Sequence, residues 1–217
     1  MQQVADARDV IGLLEVLGET VWERDLMSDE ISITPGIWTS LGYPRSSVPA
    51  TLADAMAIFH RDDATRVLDE LDRHLAGESA VYRTLARVKS AGGEWRCLRL
   101  TGAVLARDDR GNPVRVGGLV SDVTRDIERE ARRISAEEKL QTLSARERDV
   151  MLGITAGMTN KEVGLAIGVS PRTVDFYRAR LMEKLGLRSL ASLVRLCAAA
   201  EWRNPYDAQQ GLPGSAT

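Results

Sequence analysis

The amino-acid sequence predicts an α+β protein with two folded parts, an antiparallel sheet in its N-terminal half and a helical domain near its C-terminus. Residues 21–124 contain five segments in which apolar and polar residues alternate, as they do in half-buried strands. Residues 143–200 instead carry apolar residues at helical spacing, punctuated by capping residues and glycines. The charged stretch 125–142, which has almost no helix breakers, indicates a helical linker. At 217 residues the chain is long enough for two cores.

The two ends of the chain are predicted from their composition. Residues 1–20 form an N-terminal helical cap, because residues 6–18 place apolar side chains on one side of a short helix that ends at Gly18: Val10, Leu13, Leu14 and Leu17. Residues 201–217 are polar and rich in glycine and proline, which is typical of a disordered tail.

The sheet domain, residues 21–124, begins with two strands and ends with three. Strands are predicted at 21–27, 31–34, 80–89, 94–106 and 114–123. Between the second and third strands we expect a short helix or turn at 36–43, a weak helix at 51–58 and a firmer helix at 60–76. The segments AGG at 91–93 and DDRGN at 108–112 are hairpin signals. This order predicts an antiparallel sheet with its helices gathered on one face.

The starts and stops of three helices can be located in the C-terminal domain. Two starts have the capping-box spacing, in which a Ser or Thr and a Glu three residues later bind each other's amides: Ser144 with Glu147, and Thr159 with Glu162. The third start is Ser170, which is followed by Pro171 at a position where a missing amide costs nothing. Glycines mark the stops: Gly157 and Gly168.

The turn between the second and third of these helices contains only residues 168–170. A turn this short makes the two helices cross steeply, which is helix-turn-helix geometry. Apolar side chains fit a core under the crossing: Val163, Ile167, Val174, Tyr177, Leu181 and Leu185. With Val174 inward and about 100° per residue, Arg172, Phe176 and Ala179 point outward. An outward Phe suits a helix that enters the major groove, where it can contact a thymine methyl.

These residues resemble the DNA-binding domain of LuxR-type (NarL/FixJ-type) regulators. The family pattern is matched by Leu143-Ser144, Arg146-Glu147, Val150, Gly157, Asn160-Lys161-Glu162, Ser170, Thr173-Val174, Leu181 and Lys184-Leu185. The resemblance continues through a fourth helix at about 189–200 and so covers roughly a quarter of the chain. Tyr177 departs from the pattern, because the family usually has His there.

The resemblance implies double-stranded DNA as a partner, with the third helix in the major groove. We expect Asp175, Phe176 and Ala179 to meet base edges. The residues expected at phosphates are Lys161, Ser170, Arg172, Thr173 and Arg180. Arg178 lies only about 40° from the inward direction, so we expect it to pair with an acid such as Glu147.

In the LuxR-type family the fourth helix commonly forms the dimer contact, so the resemblance also implies a homodimer. The residues expected to face the partner copy are Leu190, Val194 and Cys197, whereas Leu193 can belong to the core. The competing interpretation is that this whole stripe completes the core of the domain.

The N-terminal half resembles a PAS domain through the order and spacing of several short motifs. They are Leu41-Gly42-Tyr43, His60-Arg61-Asp62-Asp63, Gly93 with Trp95, Asp109 with Gly111, and Gly117 followed by Asp122-Val123-Thr124. Arg61 replaces the proline that is usual in the second motif. A PAS domain implies a sensory or protein-binding module, so a small-molecule ligand and a protein partner both remain open.

The sequence requires no cofactor, and which cofactor, if any, the chain binds is unknown at this point. Residues 45–60 contain no Cys, which disfavours flavin-adduct photochemistry. A haem-binding PAS domain would need a His in the middle of the helix at 62–76. We expect His60 to cap that helix and His74 to be solvated, so haem is disfavoured as well.

Charge is divided unevenly along the chain. Residues 1–124 carry 14 basic and 19 acidic side chains, and residues 144–200 carry 9 and 5, giving net charges of −5 and +4. This division suits a C-terminal domain that binds nucleic acid, joined to a half that does not. The sequence lacks an apolar run of about 20 residues and a signal-peptide layout. We therefore expect a cytoplasmic protein with no membrane partner.

The sequence shows no metal-ligand cluster and no catalytic constellation, so we expect no enzymatic activity. The predicted function is a one-component transcription regulator in which the PAS-like domain controls the helix-turn-helix through dimerisation. Two alternatives stay open. One is a haem- or flavin-based sensor with the same output, and the other is a PAS protein-binding adaptor without strong DNA affinity, which only Tyr177 suggests.

Overall fold

The computed structural model describes residues 19–202, together with Gly12, Leu14 and Val16, which lie in a helix. The chain divides into two compact units, Met1–Ile127 and Glu128–Thr217, and each is described by itself. The predictions for the other residues of the 6–18 helix and for the tail beyond Trp202 lie outside the described residues. None of the helices in the described part of the chain is long and apolar enough to cross a bilayer.

The first unit is built around a five-stranded antiparallel sheet with the strand order β2-β1-β5-β4-β3. Its strands are β1 (Thr20–Asp25), β2 (Ile31–Ile33), β3 (Tyr82–Lys89), β4 (Trp95–Arg107) and β5 (Pro113–Asp122). Three helices connect β2 to β3: α1 (Gly36–Ser40), α2 (Leu52–Met56) and α3 (Arg61–Leu75). The predicted fold class is confirmed, and all five predicted strands are present.

The centre of the sheet is shaped by two glycines that allow close approach. Trp22 on β1 lies over Gly102 of β4, where an added Cβ would stand 2.7 Å from the indole ring. An added Cβ on Gly118 of β5 would stand 1.9 Å from the carbonyl oxygen of Thr101. Trp22 and Tyr82 meet edge to face, with ring centroids 6.3 Å apart. The aromatic rings of Trp22 and Tyr82 therefore fill the inner face of the sheet where Gly102 and Gly118 have no side chains.

An ion pair attaches the start of α3 to the edge strand β3. Asp63 accepts hydrogen bonds from the Arg87 amide at 2.8 Å and from the Arg87 guanidinium at 2.8 and 2.9 Å. These bonds hold the pKa of the Asp63 carboxyl well below its ordinary value. The same attachment continues in the backbone, because the His60 amide donates to the Arg87 carbonyl at 2.8 Å.

The two histidines differ in how well the sequence predicted them. His60 caps α3 as expected, since its Nδ1 accepts from the Asp62 amide at 3.3 Å. The prediction of a solvated His74 is wrong, because this side chain is buried. Its Nδ1 lies 2.9 Å from the carbonyl oxygen of Ser79, and its Nε2 has no hydrogen-bond partner in the described part of the chain. Burial follows from its place on α3, one turn after the core residue Leu71.

The second unit is entirely helical within the described residues. After α4 (Thr124–Gln141), which starts in the first unit, come α5 (Ala145–Thr155), α6 (Asn160–Ile167), α7 (Pro171–Lys184) and α8 (Leu190–Ala199). The fully buried core side chains come from all five helices: Leu140, Val150, Met151, Val163, Val174, Leu181 and Leu193. Of the side chains predicted to lie under the helix crossing, Ile167 and Tyr177 are partly buried and the others are buried.

The C-terminal half of α4 is part of this core, although the sequence placed it in a linker. Ala136 and Leu140 are 2% and 0% exposed. Two other apolar side chains of the same helix are on the surface, since Ile127 and Ile134 are 41% and 44% exposed. Trp202, which the sequence assigned to the tail, packs against the core, and its amide donates to the Cys197 carbonyl at 2.9 Å.

Replacing Leu140 tests whether α4 belongs to the helical unit. Leu140→Ala leaves a cavity in the core and should lower the free energy of opening of that unit by about 2–5 kcal/mol. Amide hydrogen exchange of peptides from 144–200, measured in the full chain, reports this free energy. The matched control is Ile134→Ala on the exposed side of the same helix, which should change it by less than about 0.5 kcal/mol. Equal effects of the two changes would contradict the assignment of Leu140 to the core.

Candidate nucleic-acid interface

Local signals fold α6 and α7 into a helix-turn-helix. The Thr159 hydroxyl accepts the Glu162 amide at the start of α6, and the Ser170 hydroxyl accepts the Thr173 amide at 3.1 Å at the start of α7. Gly168 ends α6 with φ 73°, a left-handed conformation that favours glycine. A Cβ on Gly164 would stand 2.7 Å from the Val169 carbonyl, so a glycine is needed for the turn to pack this closely on α6.

The outward face of α7 carries the side chains that the helical rotation predicted there. Phe176 is 59% exposed, and Arg172 and Ala179 are exposed on the same face. Inward, Val174 and Leu181 are fully buried. Tyr177 lies between these faces, half-buried against the core, with its ring 5.7 Å from that of Phe176 in an edge contact. α7 therefore presents a large aromatic ring to solvent, although its inward side chains already pack in the core of the helical unit.

A buried carboxylate, Glu147, joins the start of α5 to the exposed flank of α7. Glu147 is 2% exposed and accepts the Ser144 amide at 2.8 Å as part of the predicted capping box. Its two oxygens also pair with Arg180 Nε at 3.2 Å and with Lys184 Nζ at 3.3 Å. The sequence predicted Arg178 in this role, which is wrong. Arg180 and Lys184, four residues apart, share the flank of α7 that faces α5.

The protonation state of Glu147 follows from these contacts. The Ser144 amide and, with it, the Lys184 ammonium group hold the pKa of Glu147 below its ordinary value, although burial opposes this. The group is therefore ionised at neutral pH and stays paired with the two cations of α7. Arg180 keeps part of its guanidinium in solvent, since its side chain is 62% exposed.

Asp175, predicted to meet base edges, has a protein partner that the sequence did not indicate. Its Oδ1 accepts a hydrogen bond from the side-chain amide of Asn160, at the start of α6. The bond spans the turn, so it ties the two helices of the motif together at their exposed side. One oxygen of Asp175 is thereby occupied, and its contact with base edges stays a prediction.

The side chains expected at phosphates differ in how free they are. Lys161 and Arg172 are exposed, and no acidic group in the described part of the chain lies within ion-pair distance of either. Ser170 and Thr173 are bound to each other, with their hydroxyl oxygens 2.8 Å apart. Arg180 already forms an ion pair with Glu147. Lys161 and Arg172 are thus the two uncommitted cations of the predicted set.

The exposed side of α8 partly matches the predicted dimer stripe. Leu190 and Val194 are 39% and 44% exposed, and Ala198, one turn further, is also exposed. Cys197 is not on this side, which corrects the prediction. It is buried with Leu193, and its Sγ lies 3.9 Å from the Met151 sulfur. Burial raises the pKa of the Cys197 thiol.

Several contributors to this interface were missed from the sequence. Arg146 Nη1 donates to the Ile167 carbonyl at 3.0 Å and so binds the C-terminus of α6. Asn160 and Lys184 hold α7 from its two flanks, through Asp175 and Glu147. The only available signal was that all three residues belong to the motif pattern, which does not say what each one binds.

Comparison with known families agrees with this geometry. Residues 141–197 match the family of bacterial regulatory proteins of the LuxR type, and residues 30–120 match the PAS fold. The chain joins a PAS domain to a LuxR-family domain. The LuxR-family match begins at residue 141, just after Leu140, so it leaves out most of α4.

Curated relatives are similar to a part of this chain. The transcriptional regulatory protein FixJ of Rhizobium meliloti (strain 1021) is 46% identical over 61 residues, which is 28% of this chain and 30% of that protein. Nodulation protein W of Bradyrhizobium diazoefficiens is 35% identical over 98 residues, 42% of this chain and 43% of that protein. The chain thus spans less than half the length of these relatives.

A solved structure is similar to a larger part of the chain. It is that of a sensory box histidine kinase/response regulator from Burkholderia thailandensis E264, which is 26% identical with a TM-score of 0.50. The match covers 64% of this chain and all of that one.

Neutralising the buried carboxylate should weaken the LuxR-family domain in a pH-dependent way. Glu147→Gln can keep the cap on Ser144 but loses both charged partners, and we expect a loss of about 1–3 kcal/mol in the free energy of unfolding. The pKa of Glu147 is lower in the folded chain than in the unfolded one. The wild-type chain should therefore have a larger free energy of unfolding than Glu147→Gln above the unfolded pKa of about 4.3, and this difference should be lost as pH falls below that value.

Urea unfolding at about pH 6.5 and about pH 3.5, followed by circular dichroism, measures both effects. Glu162→Gln is the matched control, because Glu162 forms the same capping box at α6 but is exposed and pairs with no cation among the described residues. A difference between wild type and Glu147→Gln that does not change with pH would contradict the charged role of Glu147.

Proposed function

We propose that this chain is a one-component, cytoplasmic transcription regulator in which the PAS domain controls binding of the LuxR-family domain to double-stranded DNA. The observation that carries the proposal is the outward face of α7. There Phe176, 59% exposed, stands beside the uncommitted cation Arg172 on a helix whose inner side is fully packed. A solvent-exposed Phe has little structural use, whereas a thymine methyl in the major groove would cover it.

The structure supports a division of roles along α7. We assign Phe176 and Ala179 to base edges, because both are exposed on the face opposite the core. Arg172 on α7 and Lys161 on α6 are assigned to phosphates, which fix the register of a protein on a duplex without reading sequence. Asp175 positions the helix through Asn160 instead of reading bases.

The remaining predicted contacts have mixed roles in this proposal. Arg180 binds Glu147 through Nε and keeps its terminal nitrogens for a phosphate. The hydroxyls of Ser170 and Thr173 cap the start of α7, where a phosphate could accept from the first free amides of the helix. These three residues therefore serve the fold of the motif as well as its proposed contact with DNA.

The adaptor alternative has less support. Tyr177, the departure that suggested it, is half-buried against the core and leaves the outward face unchanged. We therefore propose that the motif keeps its DNA affinity, and that the chain acts by binding and not by catalysis.

Dimerisation is proposed as the point of control. Two copies on one duplex add their phosphate contacts, so affinity for DNA rises steeply with pairing. The row formed by Leu190, Val194 and Ala198 on α8 is the surface we assign to the partner copy, because its members follow one another at helical spacing and are exposed.

Removing a free cation should weaken binding to DNA uniformly across sequences. For Arg172→Ala we expect affinity for a duplex, selected from a random pool, to fall roughly fivefold, corresponding to about 1 kcal/mol. The slope of log K against log salt should fall by about 1, since one phosphate contact is lost. Fluorescence anisotropy at several salt concentrations measures both quantities.

Two further variants sharpen that measurement. Arg110→Ala removes an exposed cation from the PAS domain and should leave both affinity and slope unchanged. Asp175→Asn keeps an acceptor for Asn160, so it should leave the preferred base sequence unchanged if Asp175 only positions the helix. A duplex affinity that is insensitive to Arg172→Ala, Lys161→Ala and Phe176→Ala alike would refute the DNA-binding proposal.

A charge placed on the exposed row of α8 should prevent pairing. Val194→Glu introduces a carboxylate that a second copy would have to desolvate, so we expect the dimer seen by sedimentation velocity to dissociate and DNA affinity to fall at least tenfold. Ala199→Glu adds the same charge to an exposed position about 140° away from Val194 around α8 and should leave both unchanged. An intact dimer in Val194→Glu would place the partner contact elsewhere.

A further inference from the structure

The centre of the outward face of α7 is apolar. Phe176 is 59% exposed and Ala179 is exposed beside it, and neither side chain carries a hydrogen-bonding group. Arg172 precedes Phe176 by about one turn and Glu183 follows Ala179 by about one turn, so the charged groups of this face lie at its two ends. A base pair that meets the centre of α7 therefore meets carbon.

The polar side chains that flank this centre already have partners within the protein. One oxygen of Asp175 accepts from the side-chain amide of Asn160, and Arg180 pairs with Glu147 at 3.2 Å. Tyr177 is half-buried against the core. Reading of bases at the centre of α7 therefore falls to apolar contact more than to hydrogen bonds.

The Phe176 ring has a supported position on the surface of α7. It meets the ring of Tyr177 edge to face, with centroids 5.7 Å apart, and Tyr177 itself packs against the core. Phe176 and Ala179 are three residues apart, which is about 4.5 Å along the helix axis and close to the rise of about 3.4 Å between base pairs. The two side chains therefore suit neighbouring base pairs.

Thymine is the base that such a surface recognises. It presents a C5-methyl group in the major groove, whereas the other groups of the base edges there mainly donate or accept hydrogen bonds. Cytosine carries only hydrogen at C5, but 5-methylcytosine carries the same methyl group at the same ring position as thymine. An apolar side chain that contacts this methyl group does not sense the hydrogen-bonding groups that distinguish the two bases.

We propose that α7 selects duplexes by the 5-methyl groups of pyrimidines at two neighbouring base pairs, so that 5-methylcytosine substitutes for thymine there. Phe176 and Ala179 are the residues that contact the methyl groups. The proposal rests on the DNA-binding role proposed above and specifies what the recognition helix detects. It also adds an input to the regulator, because enzymatic methylation of cytosine at such a site would raise the affinity of the duplex for the chain without a change in base sequence.

Four versions of one duplex test the proposal, because they separate the methyl group from the hydrogen-bonding groups. A duplex selected from a random pool is first scanned by replacing each thymine in turn with deoxyuridine, which removes only the methyl group. At two neighbouring base pairs affinity should fall roughly fourfold, which is the effect of one buried methyl group. At each of these, a C·G pair should bind as weakly as U·A, and a 5-methylC·G pair as tightly as T·A.

Fluorescence anisotropy with the full chain measures all four dissociation constants. Equal affinity for the T·A and U·A versions at every position would overturn the methyl-reading role of α7. A 5-methylC·G pair that binds no better than C·G would also overturn it, because the hydrogen-bonding groups would then decide the choice of base.

Variants of the chain separate direct contact from the effect of a methyl group on the shape of the duplex. Phe176→Ala should bind the T·A and U·A versions equally at one of the two positions and keep the roughly fourfold ratio at the other. Leu165→Ala is the matched control, because it removes an apolar side chain of α6 that is 87% exposed and should keep both ratios. Both changes are at exposed positions, so both variants should fold. Unchanged ratios at both positions in Phe176→Ala would overturn the assignment.

This outcome can be separated from that of the proposed regulator. A chain that binds duplexes without regard to the methyl group contradicts this inference and keeps the regulator. A chain that binds no duplex from the pool contradicts the regulator, and this inference with it, before any modified base is used.

Discussion

Glu147 is where the start of α5 and the exposed flank of α7 are held together. Its carboxylate is buried, and it accepts a hydrogen bond from the Ser144 amide and pairs with Arg180 and Lys184, whose side chains stay partly in solvent. Burying a single charge without partners is costly, and here three donors offset that cost. The direction in which α7 presents Phe176 depends on this carboxylate on one flank and on the Asn160–Asp175 bond on the other.

The PAS domain is organised by a different constraint, which is the close approach of strands at residues without side chains. Gly102 and Gly118 lie opposite each other in β4 and β5, and Trp22 occupies the space above them. The indole in turn donates to the Thr101 carbonyl, which fixes its ring against the sheet. The inner face is therefore rich in aromatic carbon, and the indole N–H of Trp22 and the hydroxyl of Tyr82 are already bound within the protein.

Much of the fold follows from local signals, because caps and hairpin turns act over a few residues. The capping boxes at Ser144 and Thr159 and the left-handed Gly168 located their helices to within a residue or two. The glycines at 93 and 111 have positive φ in the two predicted hairpins. The outward position of Phe176 followed from helical rotation alone.

The rest depends on contacts between elements, which a single helix does not specify. Rotation of α7 placed Arg178 nearest the core, but the partner of Glu147 was decided by where α5 lies, and that favours Arg180. The same applies to His74 and Cys197, both buried by neighbours that their own sequence context did not reveal. The bond between Asn160 and Asp175 was not predicted, because the two residues stand 15 positions apart in the sequence.

The burial of Ala136 and Leu140 has a consequence for how such a protein can exchange its parts during evolution. A gene fusion that joined another sensor at the family limit, residue 141, would discard two side chains that close the helical core. A viable junction has to lie upstream of Ala136. The last turns of α4 are therefore inherited together with the LuxR-family domain.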